Sequence, residues 1–177
     1  MSVNSSIISP KSIVVIGASN ILTKPGSKLV KNLLDGAFNG PLYAVNPKED
    51  SVQGIKTYKE VEQLPEVDLA ILAIPPKPCL AAIEVLTKQK NTKGFIIISA
   101  GFSEGDEEGS RIENEIVTLI NNVDGCLIGP NCIGVLNANY RGVFTTPTPT
   151  MVKDGCDLIS SSGAMALFTM EAGIQNG

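Results

Sequence analysis

The residues of this chain best placed to do chemistry are a turn of small residues, a lysine beyond it, and cysteines with no base beside them. Gly17-Ala18-Ser19-Asn20 follows four β-branched residues in a row, Ile13, Val14, Val15 and Ile16. Such a run makes a strand with no polar face, buried on both sides as in the centre of a parallel α/β sheet. Small residues directly after it let the backbone turn sharply and come close to a ligand. Thr23-Lys24-Pro25 then offers a helix start: a hydroxyl to cap and a proline suited to the first turn. Strand, tight turn and helix N-terminus together form a cradle for a phosphate, because unpaired N–H groups there point at the anion. The expectation is a nucleotide-type ligand over residues 17–19. The plainer alternative is a structural βα turn.

Other chemistries are excluded by what is missing. There is no histidine in the 177 residues, so Ser-His and Cys-His nucleophiles and histidine-bound metals fall away. Cys79, Cys126, Cys132 and Cys156 lack metal-ligand spacing, and a chain of this size needs no disulfides, so they read as reduced thiols. Cys132 has neither a base nor a cation near it in sequence and reads as structural. No catalytic residue and no metal site is expected. The net charge is −4 and the only arginines are Arg111 and Arg141, which speaks against a nucleic-acid partner. Aromatics are 5% of residues with no Trp, against 43% hydrophobic, which suits an aliphatic layered core better than a stacking platform. No apolar run is long enough for a membrane span, and residues 1–10 are too polar for a signal peptide. The expected location is the cytoplasm.

The elements that must position the turn follow in order. Leu29, Val30, Leu33 and Leu34 give a helix one apolar side, ended by Gly36. Residues 41–45 read as the second strand, halted by Asn46-Pro47-Lys48. A polar excursion to Tyr58 and a short helical piece over 59–64 lead to a third strand over 67–74, closed by Pro75-Pro76. Leu80, Ile83 and Leu86 recur at helical spacing, and residues 94–98 form a fourth strand closed by Ser99-Ala100-Gly101. Asp106-Glu107-Glu108 places acid at a helix start, where the dipole favours it. Ile112, Ile116, Leu119 and Ile120 line that helix, and Cys126-Leu127-Ile128 is a fifth strand ending at Gly129-Pro130-Asn131. The alternation predicts an α/β, Rossmann-like, doubly wound parallel sheet, with ligands outside the carboxyl ends of its strands. All five of those ends carry small, proline or short polar residues.

Residues 140–153 are rich in Thr and Pro and read as an extended linker. Cys156-Asp157-Leu158-Ile159-Ser160, then Ser161-Ser162-Gly163-Ala164 and a helix-like run over 165–172, repeat the strand, turn and helix logic of the start. One βα unit cannot make its own core. The expected organisation is a complete domain over 1–140, a linker over 141–154, and over 155–177 the start of a second domain of a longer protein.

A dinucleotide site usually carries Gly-x-Gly-x-x-Gly and an acid about 20 residues further on, at the ribose. Here Ser19 stands in the second glycine position, no third glycine is in register, and the second strand ends at neutral Asn46 with Lys48 as the nearest charge. A lysine there welcomes a phosphate, which points to coenzyme A or, less well, NADP.

Gly17-Ala18-Ser19, Val45-Asn46-Pro47-Lys48, Asp68-Leu69-Ala70 leading to Ile74-Pro75, Ser99-Ala100-Gly101-Phe102 with Glu104, and Gly129-Pro130-Asn131-Cys132-x-Gly134 occur in that order. Together they resemble the CoA-binding domain of the NDP-forming acyl-CoA synthetases, the family of ADP-forming acetyl-CoA synthetase and the succinyl-CoA synthetase alpha subunit. Ser160-x-Ser162-Gly163-Ala164 resembles the start of that family's second, flavodoxin-like ligase domain. The resemblance implies a CoA cradle with Gly17, Ala18 and Ser19 on the diphosphate side. It puts Asn46, Pro47 and Lys48 near the adenosine phosphate, and Ile74, Pro75, Ser99, Ala100 and Gly101 along the pantetheine arm. Asn20, Pro25 and Asn131 complete the implied set.

The resemblance further implies the reaction of acid, CoA and NTP to acyl-CoA, NDP and phosphate. That reaction runs through a phosphohistidine which this histidine-free chain cannot carry, so the chain by itself is expected to be inactive. ATP or ADP with Mg would be bound by parts outside this chain, an ATP-grasp domain or beta subunit, in an oligomeric assembly. Ser161 stands where the family often has Gln. Ala100 stands where succinyl-CoA synthetases have Glu, which favours the ADP-forming acyl-CoA branch. The alternatives are a stand-alone CoA-binding module or regulator, and an NAD(P) oxidoreductase.

Overall fold

A computed structural model describes residues 5–36, 38–149, 151 and 157–176. The strands are β1 (Ile13–Ile16), β2 (Leu42–Val45), β3 (Ser51–Val52), β4 (Ile55–Tyr58), β5 (Leu69–Leu72), β6 (Gly94–Ile97), β7 (Cys126–Ile128), β8 (Gly134–Leu136) and β9 (Arg141–Val143). The helices are α1 (Ser5–Ile8), α2 (Pro25–Asp35), α3 (Pro76–Gln89), α4 (Glu107–Asn121) and α5 (Gly163–Asn176). One seven-stranded sheet has the order β3-β4-β2-β1-β5-β6-β7, and β8 and β9 form a separate hairpin. Every pairing in the large sheet is parallel except β3 with β4. The chain leaves β1 for β2 on one side and returns to β5 on the other, so the direction of winding reverses between β1 and β5. This is the doubly wound, Rossmann-like sheet that the alternation predicts.

The side-chain period of two explains the layers. Val14 and Ile16 of β1 join Ala70, Leu72, Phe95 and Ile97 on one face, covered by Cys79, Ile83 and Leu86 of α3 and Ile112, Ile116 and Ile120 of α4. Ile13 and Val15 join Leu69, Ile71 and Ile96 on the other, covered by Leu29, Val30 and Leu33 of α2, with Ile7 and Tyr140. Each fully buried Leu, Ile or Phe contributes about 1.5–3 kcal/mol of transfer free energy, so both faces help to hold the sheet between its helices. Asp106 caps α4 as its sequence suggests, its carboxylate accepting from the Gly109 N–H at 2.7 Å.

Several expectations are corrected. The polar excursion before Tyr58 is the β3–β4 hairpin. Gln53 and Gly54 have φ of 48° and 86°, the two left-handed residues of a tight primed turn. The helical piece over 59–64 is only a 3₁₀ turn, Val61–Gln63. Thr23 does not cap α2: the cap position is Lys24, and it makes no side-chain cap bond.

Residues 140–145, expected to open an extended linker, instead include β9 and pack onto the helix layer. The Tyr140 ring is 1% exposed and its hydroxyl donates to the Ile7 carbonyl at 2.7 Å. The Asn32 amide on α2 donates to Val143 O at 2.7 Å and Thr145 O at 2.9 Å, which fastens the β8–β9 hairpin to the helix layer. A Thr- and Pro-rich composition masked these contacts, which lie more than a hundred residues apart in sequence.

The strand expected over 156–160 is not formed at Asp157, Leu158, Ile159 and Ser160, and Cys156 lies outside the described residues. A strand needs a neighbour to pair with, and these residues find none among those described. Ile159 is 98% exposed. The helix expected over 165–172 is present as α5, with Met165 and Phe168 largely exposed.

Two predictions follow from this packing. Asn32→Ala removes two buried bonds and should cost about 2 kcal/mol, read as a lower urea midpoint; an unchanged midpoint would show that the hairpin docks without the amide. Burial pushes the Cys79 thiol from 9.0 up to about 12, and pushes the Tyr140 phenol up as well. Because the unfolded chain loses these protons first, stability should fall as pH rises above about 9, continuing toward 12. Cys79→Ala should make that fall shallower in urea titrations across the range, whatever it does to stability at neutral pH.

Candidate functional site

The reversal of winding places the end of β1 beside the end of β5, and Gly17 sits in that crevice. Its φ is +88°, and a Cβ there would lie 2.6 Å from Ala73 O and 2.7 Å from Ile74 Cγ2. Only glycine turns the chain there while letting the β5 end lie against it. Ala18 and Ser19 are buried at 1% and 4% exposure. The Ser19 hydroxyl accepts from Ile21 N–H at 3.1 Å.

A second glycine, Gly26 in the first turn of α2, was missed by the sequence reasoning. A Cβ at Gly26 would overlap the Gly17 carbonyl oxygen, so α2 starts in direct contact with the β1 turn. This is the close helix–strand approach that the last glycine of a dinucleotide fingerprint provides, with different spacing. Pro25 is the first residue of α2, and the missing side-chain cap at Lys24 leaves the helix end open toward the turn.

The tip after β2 locks onto the tip after β1. Asn46 Nδ2 donates to Ala18 O at 2.7 Å, while Asn46 Oδ1 accepts from the N–H groups of Lys48 at 2.7 Å and Glu49 at 3.1 Å. That arrangement presents Pro47 and Lys48 on an exposed turn, where Lys48 is in no ion pair among the described residues. It also delivers a carboxylate that the sequence reading left out. Glu49 Oε1 accepts from Asn20 N–H at 3.2 Å and Ser19 Oγ at 3.4 Å, and Glu49 Oε2 accepts from Asn20 Nδ2. Lys48, the nearest charge after the second strand, is thus followed directly by an acid that the sequence reading did not use. The acid lies one residue past Lys48 and folds back onto the first turn. The β3–β4 hairpin completes this wall: Asn20 Oδ1 accepts from Gln53 N–H at 3.0 Å, and Gln53 Nε2 donates to Ser27 O at 2.9 Å. The Gln53-Gly54 pair between two short β-prone runs was the available signal for it.

On the other side of the crevice, Asn131 N–H donates to Ser99 O at 3.0 Å, joining the tips after β6 and β7. Gly101 N–H donates to Glu104 Oε1 at 2.8 Å. Pro75, Pro76, Gly101, Asp106, Gly109 and Ile112 line a cavity of about 290 Å³ at the starts of α3 and α4. A wider groove of about 700 Å³, between Leu80 and Glu84 of α3 and Arg111 and Leu119 of α4, lies on the helices and away from the tips.

The strand tips thus form two clusters. Ala18, Ser19, Asn20, Asn46 and the Lys48 backbone are linked by hydrogen bonds, in part through the Glu49 carboxylate, and Gly17 beside them lies against Ile74. Ser99 and Asn131 form the second, with Pro75 and Gly101 on the cavity. Cys132 Sγ donates to Ile97 O at 3.3 Å, and burial pushes its thiol up, which disfavours the thiolate a nucleophile needs.

A crevice at the winding reversal, edged by a glycine turn and an open helix end, defines a nucleotide-cradle domain of the Rossmann type. Residues 11–138 match the family model for the CoA binding domain, and the chain belongs to that family. It is 42% identical over 159 residues to the ADP-forming acetate–CoA ligase II subunit alpha of Pyrococcus furiosus, a match that covers 88% of this chain and 34% of that protein. Among solved structures, PH0766 from Pyrococcus horikoshii OT3 superposes with a TM-score of 0.87 at 38% identity, covering 97% of this chain and 39% of that one. The dinucleotide forming acetyl-coenzyme A synthetase 1 of Ca. Korarchaeum cryptofilum, in complex with phosphate and ADP, gives 0.82 at 29% identity, covering 99% and 37%. The chain spans about a third of each of these relatives.

Gly26→Ala, by driving a methyl into the Gly17 carbonyl, should destabilise the fold by about 1–3 kcal/mol. A urea midpoint equal to that of the unsubstituted protein would show that α2 can slide away from the turn freely.

Proposed function

We propose that this chain is the CoA-binding portion of an NDP-forming acyl-CoA synthetase acting in the cytoplasm. The observation that carries the reading is the cradle at residues 17–20, set at the winding reversal of a chain that matches the CoA binding domain from 11 to 138. In this reading the CoA diphosphate lies over Gly17, Ala18, Ser19 and the Asn20 N–H, with the open end of α2 at Pro25 behind it. Lys48 faces the phosphate on the adenosine ribose from its exposed turn beside Asn46 and Pro47. The pantetheine arm runs past Ile74 and Pro75 toward Ser99, Ala100, Gly101 and Asn131, near the cavity at the starts of α3 and α4.

The chain's part in acid + CoA + NTP going to acyl-CoA, NDP and phosphate is to hold CoA. It has no histidine to carry a phosphoryl group, so that step and the binding of ATP or ADP with Mg belong to partner regions, an ATP-grasp domain or subunit, in an oligomer. The greater length of the relatives supports this division, as does α5, whose Met165 and Phe168 stand exposed where a second domain would cover them. Residues 157–176 are then the opening of that second domain.

The test is a thermal-shift titration with CoA, acetyl-CoA, NAD and NADP. A ligand at 100 times its dissociation constant adds roughly 2.7 kcal/mol of stability, so CoA and acetyl-CoA should raise Tm visibly and the nicotinamide dinucleotides should not. Lys48→Ala should weaken CoA about fivefold and leave dephospho-CoA unaffected, the signature of a charge-assisted contact to the extra phosphate. Stabilisation by NAD or NADP with none by CoA would overturn the assignment.

A further inference from the structure

We propose that Glu49 is a built-in anion that occupies the phosphate cradle in the empty protein, and that coenzyme A binds only by displacing it. The inference rests on the diphosphate placement over residues 17–20 proposed above. The Glu49 carboxylate takes the donors that line the first turn. Oε1 accepts from Asn20 N–H at 3.2 Å, from Ser19 Oγ at 3.4 Å and from Asn46 Nδ2 at 3.4 Å, and Oε2 accepts from Asn20 Nδ2. No cation is salt-bridged to it among the described residues. Nearby Lys59 instead donates to the Glu49 main-chain carbonyl at 2.8 Å and pairs with Asp50 at 2.7 Å. A carboxylate held by backbone and side-chain N–H groups without a countercharge sits as a phosphate oxygen would sit there. Two anions cannot share those donors, so a ligand diphosphate must replace the carboxylate.

The surrounding geometry allows that exchange. Asn46 fixes the main chain of the tip from both sides, through Ala18 O and through the N–H groups of Lys48 and Glu49. The backbone can therefore stay in place while the half-buried Glu49 side chain turns outward. Asn20 remains fastened to the β3–β4 hairpin by Ser51 O at 2.8 Å and Gln53 N–H at 3.0 Å, so its own N–H stays aimed into the cradle after the carboxylate leaves. The result is a preformed site that discriminates against weakly charged ligands, because only a strong anion repays the displacement.

Calorimetric titration of the protein with CoA, dephospho-CoA and adenosine tests this on Glu49→Gln and Glu49→Ala. Gln keeps the shape of the side chain and removes its charge, and far-ultraviolet circular dichroism checks that both variants fold. Regaining one charge-assisted contact should tighten CoA and dephospho-CoA about tenfold in both variants, with adenosine unchanged. Equal or weaker binding of CoA by both folded variants would overturn the proposal and make Glu49 a positioning residue for the turn. A gain for CoA without one for dephospho-CoA would also overturn it, since Glu49 would then oppose the ribose phosphate. If the unsubstituted protein binds dephospho-CoA and CoA but only the variants lose them, the site reading survives and the displacement does not. If no form binds either, both fall.

Discussion

Between the turn after β1 and the first turn of α2 there is no room for a methyl group. Gly26 packs on the Gly17 carbonyl, and Gly17 in turn lies against Ala73 and Ile74 beyond β5. This double contact brings a helix N-terminus, a strand end and the neighbouring strand end to one point. Everything proposed about ligand binding depends on it, because N–H groups hold an anion only when the backbone itself can reach it. A side chain at Gly26 would push α2 off the turn, and one at Gly17 would push the β1 turn away from the end of β5.

The cradle is held by its neighbours as much as by its own residues. Asn46 ties the tip after β2 to the turn after β1, and the β3–β4 hairpin braces Asn20 and Ser27 through Gln53. These bonds convert a run of small, weakly ordered residues into a rigid surface, which lowers the ordering cost of binding. On the far side of the reversal, the Ser99–Asn131 contact joins the tips after β6 and β7. The one thiol near that rim, Cys132, is bonded to a carbonyl and kept protonated by burial. The rim thus offers turn N–H groups, amides and a protonated thiol rather than a thiolate nucleophile.

The β8–β9 hairpin, Tyr140 and Asn32 bind the chain ends of the domain together: α1 is gripped by the Tyr140 hydroxyl and by the Asn137 and Asn139 amides, all on main-chain carbonyls. After Thr145 that grip ends, and α5 presents apolar side chains to solvent.

Much of the sheet was legible from residue types alone. The β-branched run at Ile13, Val14, Val15 and Ile16, the helical spacing of Leu80, Ile83 and Leu86, and the acids at Asp106, Glu107 and Glu108 each encode a local period or a terminal charge. Local periods survive folding unchanged, so five strands, the helices between them and the row of small residues at the strand ends could be read in order. The ordered motifs also carried the family. What the sequence did not disclose is whatever depends on residues far apart meeting. Gly26 matters only because α2 lands on Gly17. Glu49 matters only because an Asn46 turn bends it back by some thirty positions onto Ser19 and Asn20, and Tyr140 only because Ile7 waits for its hydroxyl. Their one-dimensional surroundings look like turn, polar loop and linker. The residue types determined that a turn of small residues would end the first strand; the tertiary packing alone decided which donors surround that turn and that the Glu49 carboxylate folds onto them, because hydrogen bonds between strand tips are set by the winding of the sheet and not by neighbours in sequence.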